Sequence, residues 1–225
     1  MIRADGRSRY SIWAHSAALR DLYTRRCLMQ AEEMTCHAQA AELLAPLVAP
    51  GDTLLDIGCG SGYFYHSLRS RGIPAEYWGL DASETLLAIG RRCLPAFGLP
   101  PERLLTMSLD ELAGETDHIV CLNVLSNIDN YHRGLERMLQ CSRRSVILRE
   151  SLAQTAQYQY VVDEYLDPGC RLRVHVNTYA LAELIGFIES FGFEARIVTD
   201  RRTGGRPEMV IGYPHHWTFV VARRR

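Results

Sequence analysis

A glycine-rich stretch in the first third of the chain constrains its fold more than any other segment. Residues 54–57 (Leu-Leu-Asp-Ile) are typical of the end of a buried parallel strand. Gly58, Gly60 and Gly62 alternate directly after it, and helical character continues from Tyr63. Glycine adopts left-handed backbone freely and lets a ligand approach the main chain, so this order predicts a strand, a tight ligand-binding turn and a helix.

Departures from known nucleotide-binding loops narrow the choice of ligand. The dinucleotide-binding pattern has its third glycine where this chain has Tyr63, and a Walker loop requires a lysine, which this chain lacks. Asp56 would repel a phosphate and attract a cation. A second strand, residues 75–80, ends at Asp81, whose carboxylate can accept hydrogen bonds from both hydroxyls of a ribose. A ribose combined with a positive charge describes S-adenosylmethionine.

These motifs also carry a family resemblance, to the class I S-adenosylmethionine-dependent methyltransferases. The residues on which it depends are Asp56-x-Gly58-x-Gly60-x-Gly62 and Gly79-Leu-Asp81-Ala-Ser83. It extends more weakly from about residue 40 to the C-terminus. The resemblance implies S-adenosylmethionine as cofactor and an α/β fold with a Rossmann-like seven-stranded sheet, mostly parallel with an antiparallel last strand. Helices would cover both faces, and an N-terminal helical lid would lie over the site.

The resemblance places the cofactor along the carboxyl ends of the first strands. In the family an Asp after the third strand often holds the adenine amino group, but this chain has Ser108 there, with Asp110 as an equal alternative. Asn123 follows the fourth strand and would lie near the methyl donor, although such a residue can also bond to its own turn. The candidate cofactor residues are Asp56, Gly58, Cys59, Gly60, Gly62, Asp81, Ala82, Ser108, Leu109 and Asn123.

Strand and helix patterns alternate along the chain and indicate one domain over residues 1–225. Ser83 and Asn130 are predicted helix N-caps. The last two strands are separated by residues 200–216, which are rich in Gly and Pro, so an antiparallel hairpin is expected there rather than a helical crossover. Residues 1–50 are assigned to the helical lid, and residues 152–176 to an insertion on the substrate side.

Methyl transfer requires a nucleophile aligned within about 3–3.5 Å of the methyl group and, for a hydroxyl, a base. Glu150 follows the fifth strand and should face the cleft, although a solvated or arginine-paired acid is an equally good interpretation. His175 could project from the insertion as a second catalytic candidate. The candidates for contact with the methyl acceptor are Tyr10 and Trp13 before the lid helices, Asn127 after the fourth strand, and His132, for which an exposed surface position is an alternative.

Charge and composition argue against several classes of partner. The net charge of −1 offers no attraction for nucleic acid or an anionic membrane surface. The seven cysteines show no metal-ligand spacing, and no run of about 18 apolar residues exists. We therefore expect no metal site, no membrane span and a cytoplasmic location.

Methylation of a small molecule, on oxygen or nitrogen, is the function that these features favour. The chain lacks the Asn/Asp-Pro-Pro-Tyr/Phe motif with which many DNA and protein-glutamine methyltransferases hold a planar nitrogen, and Asn123-Val-Leu-Ser126 stands at that place. A methyltransferase that modifies proteins and a non-catalytic cofactor-binding regulatory module remain as alternatives. A nicotinamide-dependent oxidoreductase is a third, which the closing hairpin argues against.

Overall fold

The computed structural model describes residues 12–225, which are built around one central sheet. In spatial order its strands are β3 (Leu104–Thr106), β2 (Glu76–Asp81), β1 (Thr53–Ile57), β4 (Thr116–Leu122), β5 (Ser142–Ala153), β12 (Trp217–Arg224) and β9 (Phe193–Thr199). A further strand of two residues, β8 (Tyr179–Ala180), pairs with the end of β5.

The pairing directions confirm the predicted sheet. β12 runs antiparallel to its neighbours β5 and β9, and the other pairings along the seven strands are parallel. The connection between β9 and β12 contains a small hairpin of β10 (Glu208–Val210) and β11 (Tyr213–His215). Because this connection forms no crossover helix, β12 can return only alongside β9, which confirms the expected closing hairpin.

Helices cover both faces of the sheet, as predicted. They are α1 (Ala17–Cys27), α2 (Thr35–Leu44), α3 (Phe64–Ser70), α4 (Glu84–Cys93), α5 (Tyr131–Cys141) and α6 (Leu181–Ser190). Helices α1 to α4 bury apolar side chains in the core of one face, here called the first face. Helices α5 and α6 bury theirs in the core of the second face. The side chains of Ser83 and Asn130 cap α4 and α5, as expected.

Strand β5 shows how the chain separates these two cores. Ile147 belongs to the first-face core, whereas Val146 and Leu148 belong to the second-face core. Successive side chains of a strand point to opposite faces, so Arg149 continues the row of Ile147 and Glu150 continues the row of Leu148. Both charged residues are buried, and they lie on opposite sides of the sheet.

A third apolar cluster lies apart from the two main cores. It joins three segments, which together we call the roof: residues 12–14, the insertion hairpin of β6 (Tyr160–Val162) and β7 (Arg173–His175), and the β10–β11 hairpin. Ile12, Val174 and Val176 are its buried members, and Trp13 packs both here and against the first-face core. The roof thus connects the N-terminal segment to the insertion and to the connection before β12.

Asp167, in the insertion, ties this segment to helix α1. One carboxylate oxygen accepts a hydrogen bond of 2.8 Å from the backbone N–H of Ala17, and the other lies 3.5 Å from the Arg20 guanidinium. The backbone N–H of Asp167 also donates to the carbonyl of His15. An acid at a helix N-terminus satisfies an otherwise unpaired N–H and interacts favourably with the helix dipole.

Two absences apply to the chain from residue 12 onward. None of its helices is long and apolar enough to cross a membrane. Nor do its His, Cys, Asp and Glu side chains gather in a group that could hold a metal ion.

The Asp167 contact predicts that the insertion stabilises helix α1. Asp167→Ala should raise amide hydrogen exchange across the first turn of α1, because the loss of a helix-capping carboxylate costs roughly 1 kcal/mol. Asp163→Ala is the matched control, since the Asp163 carboxylate accepts a hydrogen bond from the backbone N–H of Tyr165, within its own loop. Equal exchange at Arg20 and Asp21 in the two variants would show that the insertion does not stabilise the helix.

Candidate active site

The glycine loop joins β1 to α3 at the carboxyl edge of the sheet. Gly58, Gly60 and Gly62 have φ values of +68°, +60° and +79°, in the left-handed region that other residues rarely adopt. The N–H groups of Gly58 and Cys59 donate to the carbonyl oxygen of Leu80 at 2.7 and 3.1 Å. The loop is therefore anchored to the end of the neighbouring strand β2.

Side chains approach this loop so closely that a Cβ atom would not fit. A Cβ on Gly58 would lie 2.2 Å from Cγ2 of Val124, and one on Gly60 would lie 2.4 Å from Cε1 of Tyr23. Val124 belongs to the turn after β4, whereas Tyr23 belongs to α1. The N-terminal helix thus lies directly over the glycine loop.

Asp81, at the end of β2, holds the loop through its side chain. Its two carboxylate oxygens each accept a backbone hydrogen bond of 2.7 Å, one from Gly60 and the other from Ser83. Burial raises the pKa of Asp81 to about 6. A carboxylate oxygen can accept more than one hydrogen bond, so Asp81 keeps acceptor capacity for the hydroxyl groups of a ligand.

Asp56 is a second buried carboxyl group beside the loop. Its Oδ2 accepts a hydrogen bond of 2.7 Å from the Tyr77 hydroxyl, and it is otherwise surrounded by the core. Burial, with a smaller contribution from the charge of Asp81, raises the pKa of Asp56 to about 7. When either acid is ionised it places poorly screened negative charge next to the loop, and a cation above the loop would stabilise that ionised form.

Helix α1 contributes two residues that the sequence analysis did not find, Tyr23 and Arg26. The Arg26 guanidinium donates to the Tyr63 hydroxyl at 3.0 Å and lies 5.7 Å from the centre of the Tyr23 ring. Burial, with a smaller contribution from the Asp81 carboxylate, raises the pKa of Tyr23 to about 12. No local motif marks these residues, because only the packing of α1 against the sheet brings them to the loop.

Asn123, which follows β4, is in the left-handed region at φ +60°. Its backbone N–H donates to the Arg149 carbonyl at 2.8 Å, and its side-chain oxygen accepts from the Arg149 guanidinium. Arg149 Nε also donates to Asp200 at 2.7 Å within the buried first-face core. The side chain of Asn123 thus belongs to a network with Arg149, a residue that the sequence analysis passed over.

The structure contradicts the expectation that Glu150 faces the cleft. Its side chain is fully buried on the second face, where one oxygen accepts from the N–H groups of Val124 and Leu125 at 3.0 and 2.9 Å. The other oxygen accepts from the N–H and the hydroxyl of Ser126 at 2.9 and 2.7 Å. Burial raises the pKa of Glu150. This carboxylate holds the turn after β4, and the alternation along β5 turns it away from the glycine loop.

The two candidate histidines also lie elsewhere. Val174 packs in the roof, so His175, the next residue of the strand, points to the opposite side of the hairpin. There its ring lies 4.6 Å from that of the exposed Tyr160. The side chain of His132 is 41% exposed and its Nε2 lies 3.1 Å from the Glu183 carboxylate of α6, which agrees with the surface alternative.

The remaining candidates are distributed around the carboxyl edge of the sheet. The Ser108 hydroxyl donates to Glu111 in a capping box, and Leu109 packs against Gly134 of α5. Asn127 Nδ2 donates to the Asn123 carbonyl at 2.7 Å. Cys59 is buried beneath the loop and Ala82 is exposed beside Asp81, while Trp13 is half-buried under the roof and Tyr10 lies outside the described residues.

The contacts of Glu150 predict that it stabilises the fold. Glu150→Gln replaces an oxygen that accepts backbone N–H groups with an NH₂ that cannot, which should lower the free energy of unfolding by roughly 2–4 kcal/mol. Urea denaturation followed by circular dichroism measures this loss. Glu194→Gln, on an exposed position of β9, is the control and should stay within about 0.5 kcal/mol of the unaltered chain. Equal stability of the two variants would contradict the role given to Glu150.

Comparison with known proteins agrees with this geometry. A family model described as a methyltransferase domain matches residues 28–197. A ubiquinone biosynthesis O-methyltransferase from Azoarcus sp. (strain BH72) is 32% identical over 83 residues, which cover 36% of this chain and 35% of that protein. The match to the curated relatives thus spans about a third of their length.

Two solved structures share the fold. Magnesium protoporphyrin IX methyltransferase from Synechocystis PCC 6803, with bound S-adenosylmethionine, aligns over 92% of both chains with a TM-score of 0.59 and 17% identity. An S-adenosylmethionine-dependent methyltransferase from Mesorhizobium loti aligns over 83% of this chain and 98% of its own, with a TM-score of 0.56 and 20% identity. By its family match and its fold, this chain belongs to the class I S-adenosylmethionine-dependent methyltransferases.

Proposed function

We propose that this chain transfers the methyl group of S-adenosylmethionine to a small molecule, on an oxygen or a nitrogen atom. The observation that carries the proposal is the clasp between the glycine loop and Asp81, in which Gly60 N–H donates to the Asp81 carboxylate at 2.7 Å. The clasp joins the backbone of the glycine loop to a carboxylate that keeps acceptor capacity. Cationic methyl donors with a ribose need both features.

The residues around the loop fit the cofactor on two counts. Asp81 would hold the ribose hydroxyls, and Gly58, Gly60 and Gly62 would let its tail lie against the backbone. In their ionised form the carboxyl groups of Asp56 and Asp81 would favour a sulfonium over a phosphate. Cys59, Ala82, Ser108, Leu109 and Asn123 complete the proposed cofactor set.

A small acceptor is favoured by the segments that cover the carboxyl edge of the sheet. Helix α1 lies on the glycine loop through Tyr23, and the roof joins it to the insertion and to the β10–β11 hairpin. A folded protein substrate would have to displace these contacts, whereas a small molecule would enter between them. Trp13 and Asn127 remain the proposed contacts of the acceptor on the lid side and the sheet side.

The chemical role of the chain is then mainly to position the acceptor and exclude water. The bound cofactor supplies a methyl group already activated by its positive sulfur. Helix α1 and the roof exclude water from the edge of the sheet, which strengthens the electrostatic effect of Asp56 and Asp81. Neither Glu150 nor His175 serves as the base in this proposal, because Glu150 is buried on the second face and His175 lies on the outer side of its hairpin.

The non-catalytic alternative has one observation in its favour, namely the positions of Glu150 and His175 away from the loop. One assay distinguishes the proposed function from its alternatives. The chain is incubated with methyl-labelled S-adenosylmethionine and, in one arm, a metabolite extract below 1 kDa; the other arm contains a protein extract instead. Label in the small-molecule arm supports the proposal. Label confined to proteins supports a protein methyltransferase, and tight cofactor binding without transfer supports the regulatory module.

The clasp predicts that Asp81 dominates cofactor affinity. Asp81→Asn should weaken binding of S-adenosylhomocysteine at least tenfold, because the amide replaces one acceptor oxygen by a donor that opposes the Gly60 N–H. Isothermal titration calorimetry measures the change. Asp129→Asn, at an exposed position before α5, should bind like the unaltered chain. If both variants bind equally well, the proposed cofactor site is wrong.

The raised pKa values predict a pH-dependent preference for the charged cofactor. Burial raises the pKa of Asp56 to about 7 and that of Asp81 to about 6, so both groups lose their proton as the pH rises from 5 to 8. The negative charge then favours S-adenosylmethionine over the product, whose sulfur is neutral. Their affinity ratio should rise by roughly tenfold over this interval, since one pKa unit corresponds to about 1.4 kcal/mol.

Direct titration with both compounds at several pH values measures this ratio. Asp56→Asn should reduce its pH dependence, because one of the two ionising groups is removed. A ratio that does not change with pH would contradict the electrostatic part of the proposed function.

A further inference from the structure

Arg149, at the carboxyl end of β5, has a hydrogen-bond donor that nothing in the described chain uses. Its Nε donates to Asp200 at 2.7 Å, and its Nη1 donates to the side chain of Asn123. Nη2 is buried and has no partner among the described residues. The side chain is only 3% exposed, so water does not satisfy this group from the surface.

His215, on β11, has a second unused polar atom in the same place. Its Nδ1 is buried without a hydrogen-bond partner among the described residues, and the residue is 2% exposed. Its ring lies 4.8 Å from that of Trp217, and the Arg149 guanidinium lies 4.4 Å from the centre of the same indole. Arg149 and His215 thus share one buried aromatic neighbour.

A buried N–H group without an acceptor lowers the stability of the folded chain. The Asp200 carboxylate already balances the charge of Arg149, so a structural ion pair alone would not need the third nitrogen. The neutral imidazole of His215 can place a proton on Nδ1, which makes it a second donor. Both donors belong to side chains that contact the indole of Trp217, and a guanidinium N–H together with a second N–H matches the two oxygens of a carboxylate.

The position of Arg149 in the sheet indicates that the carboxylate it would bind is not the carboxylate of the cofactor. Asp81 ends β2, whereas Arg149 lies on β5, with β1 and β4 between them. At about 4.8 Å a strand, this separation is roughly 14 Å. A cofactor tail that runs from Asp81 over β1 would end beside β4, next to Asn123 and one strand short of the β5–β12 pair. The β10–β11 hairpin, which forms part of the roof, contacts the start of this pair through His215 and Trp217.

We propose that Arg149 and His215 form a subsite for a carboxylate carried by the methyl acceptor. This assignment rests on the proposed function and narrows it to acidic small molecules. Asp200 and Asn123 orient the guanidinium, which lies over the indole ring of Trp217. The carboxylate anchors the acceptor over β5, so that the rest of the molecule extends back toward the glycine loop.

Benzoate and benzamide are matched probes, since they share shape and differ in charge. Calorimetric titration of the chain saturated with S-adenosylhomocysteine should detect benzoate binding at least tenfold tighter than benzamide binding, as expected for charge-assisted hydrogen bonds. The same titration without S-adenosylhomocysteine should keep the order of the two probes. Equal affinity of the two probes would overturn the subsite.

Variants test whether the preference for benzoate over benzamide depends on Arg149 and His215. Arg149→Met alone would leave Asp200 buried without a partner, so it is combined with Asp200→Asn to keep the fold. This double variant should lose at least tenfold in benzoate affinity and little in benzamide affinity, and His215→Phe, which keeps the ring against Trp217, should lose several-fold. The control is Arg143→Met, an exposed position at the opposite end of β5, which should bind benzoate unchanged. Unchanged benzoate binding in the double variant would overturn the proposal.

A last comparison separates the acceptor from the cofactor as the source of the carboxylate. The double variant should bind S-adenosylhomocysteine and 5′-methylthioadenosine, which lacks the amino acid tail, as well as the unaltered chain does. Loss of the first affinity alone would mean that Arg149 holds the cofactor's own carboxylate, and the acceptor subsite would be wrong. Absence of S-adenosylhomocysteine binding by the unaltered chain would instead refute the proposed function, while the benzoate titration without cofactor still tests the subsite.

Discussion

The hydrogen bonds between the glycine loop and the end of β2 are the interaction on which the candidate site depends. The carbonyl of Leu80 accepts from Gly58 and Cys59, and the carboxylate of Asp81 accepts from Gly60. These bonds place the carboxyl ends of β1 and β2 in one fixed arrangement. Left-handed backbone at the glycines is what allows the loop to turn back against β2.

The end of β5 shows how one strand serves two purposes. Arg149 on the first face is held by Asp200 and Asn123, whereas Glu150 on the second face is held by backbone N–H groups of the turn after β4. A buried charge persists only where hydrogen bonds or an opposite charge compensate for lost hydration. Glu150 has its hydrogen bonds from the turn itself, while Arg149 keeps one nitrogen without a partner in the described chain.

Segments distant in sequence close the carboxyl edge of the sheet. Residues 12–27, the insertion and the connection before β12 meet in the roof and through Asp167. The same segments bring Tyr23 to the glycine loop and His215 to Trp217. These contacts enclose the carboxyl edge of the sheet, and our proposal of a small acceptor rests on that enclosure.

The sequence by itself determined the elements whose requirements are local. The strand, the alternating glycines and Asp81 are adjacent or nearly so, and each residue type is needed for the backbone it adopts. The closing hairpin followed in the same way from the glycines and prolines of residues 200–216, which cannot form a crossover helix.

Only the tertiary structure decided which polar side chains face the site. Glu150 and Arg149 are neighbours in sequence, but the strand alternation puts them on opposite faces, and sequence position alone could not say which face meets the cleft. Tyr23 and Arg26 carry no motif, since they reach the glycine loop only through packing between distant segments, and the same holds for His215 in the proposed subsite. A contact between such segments depends on how whole helices and strands pack together. No local sequence pattern predicts this packing.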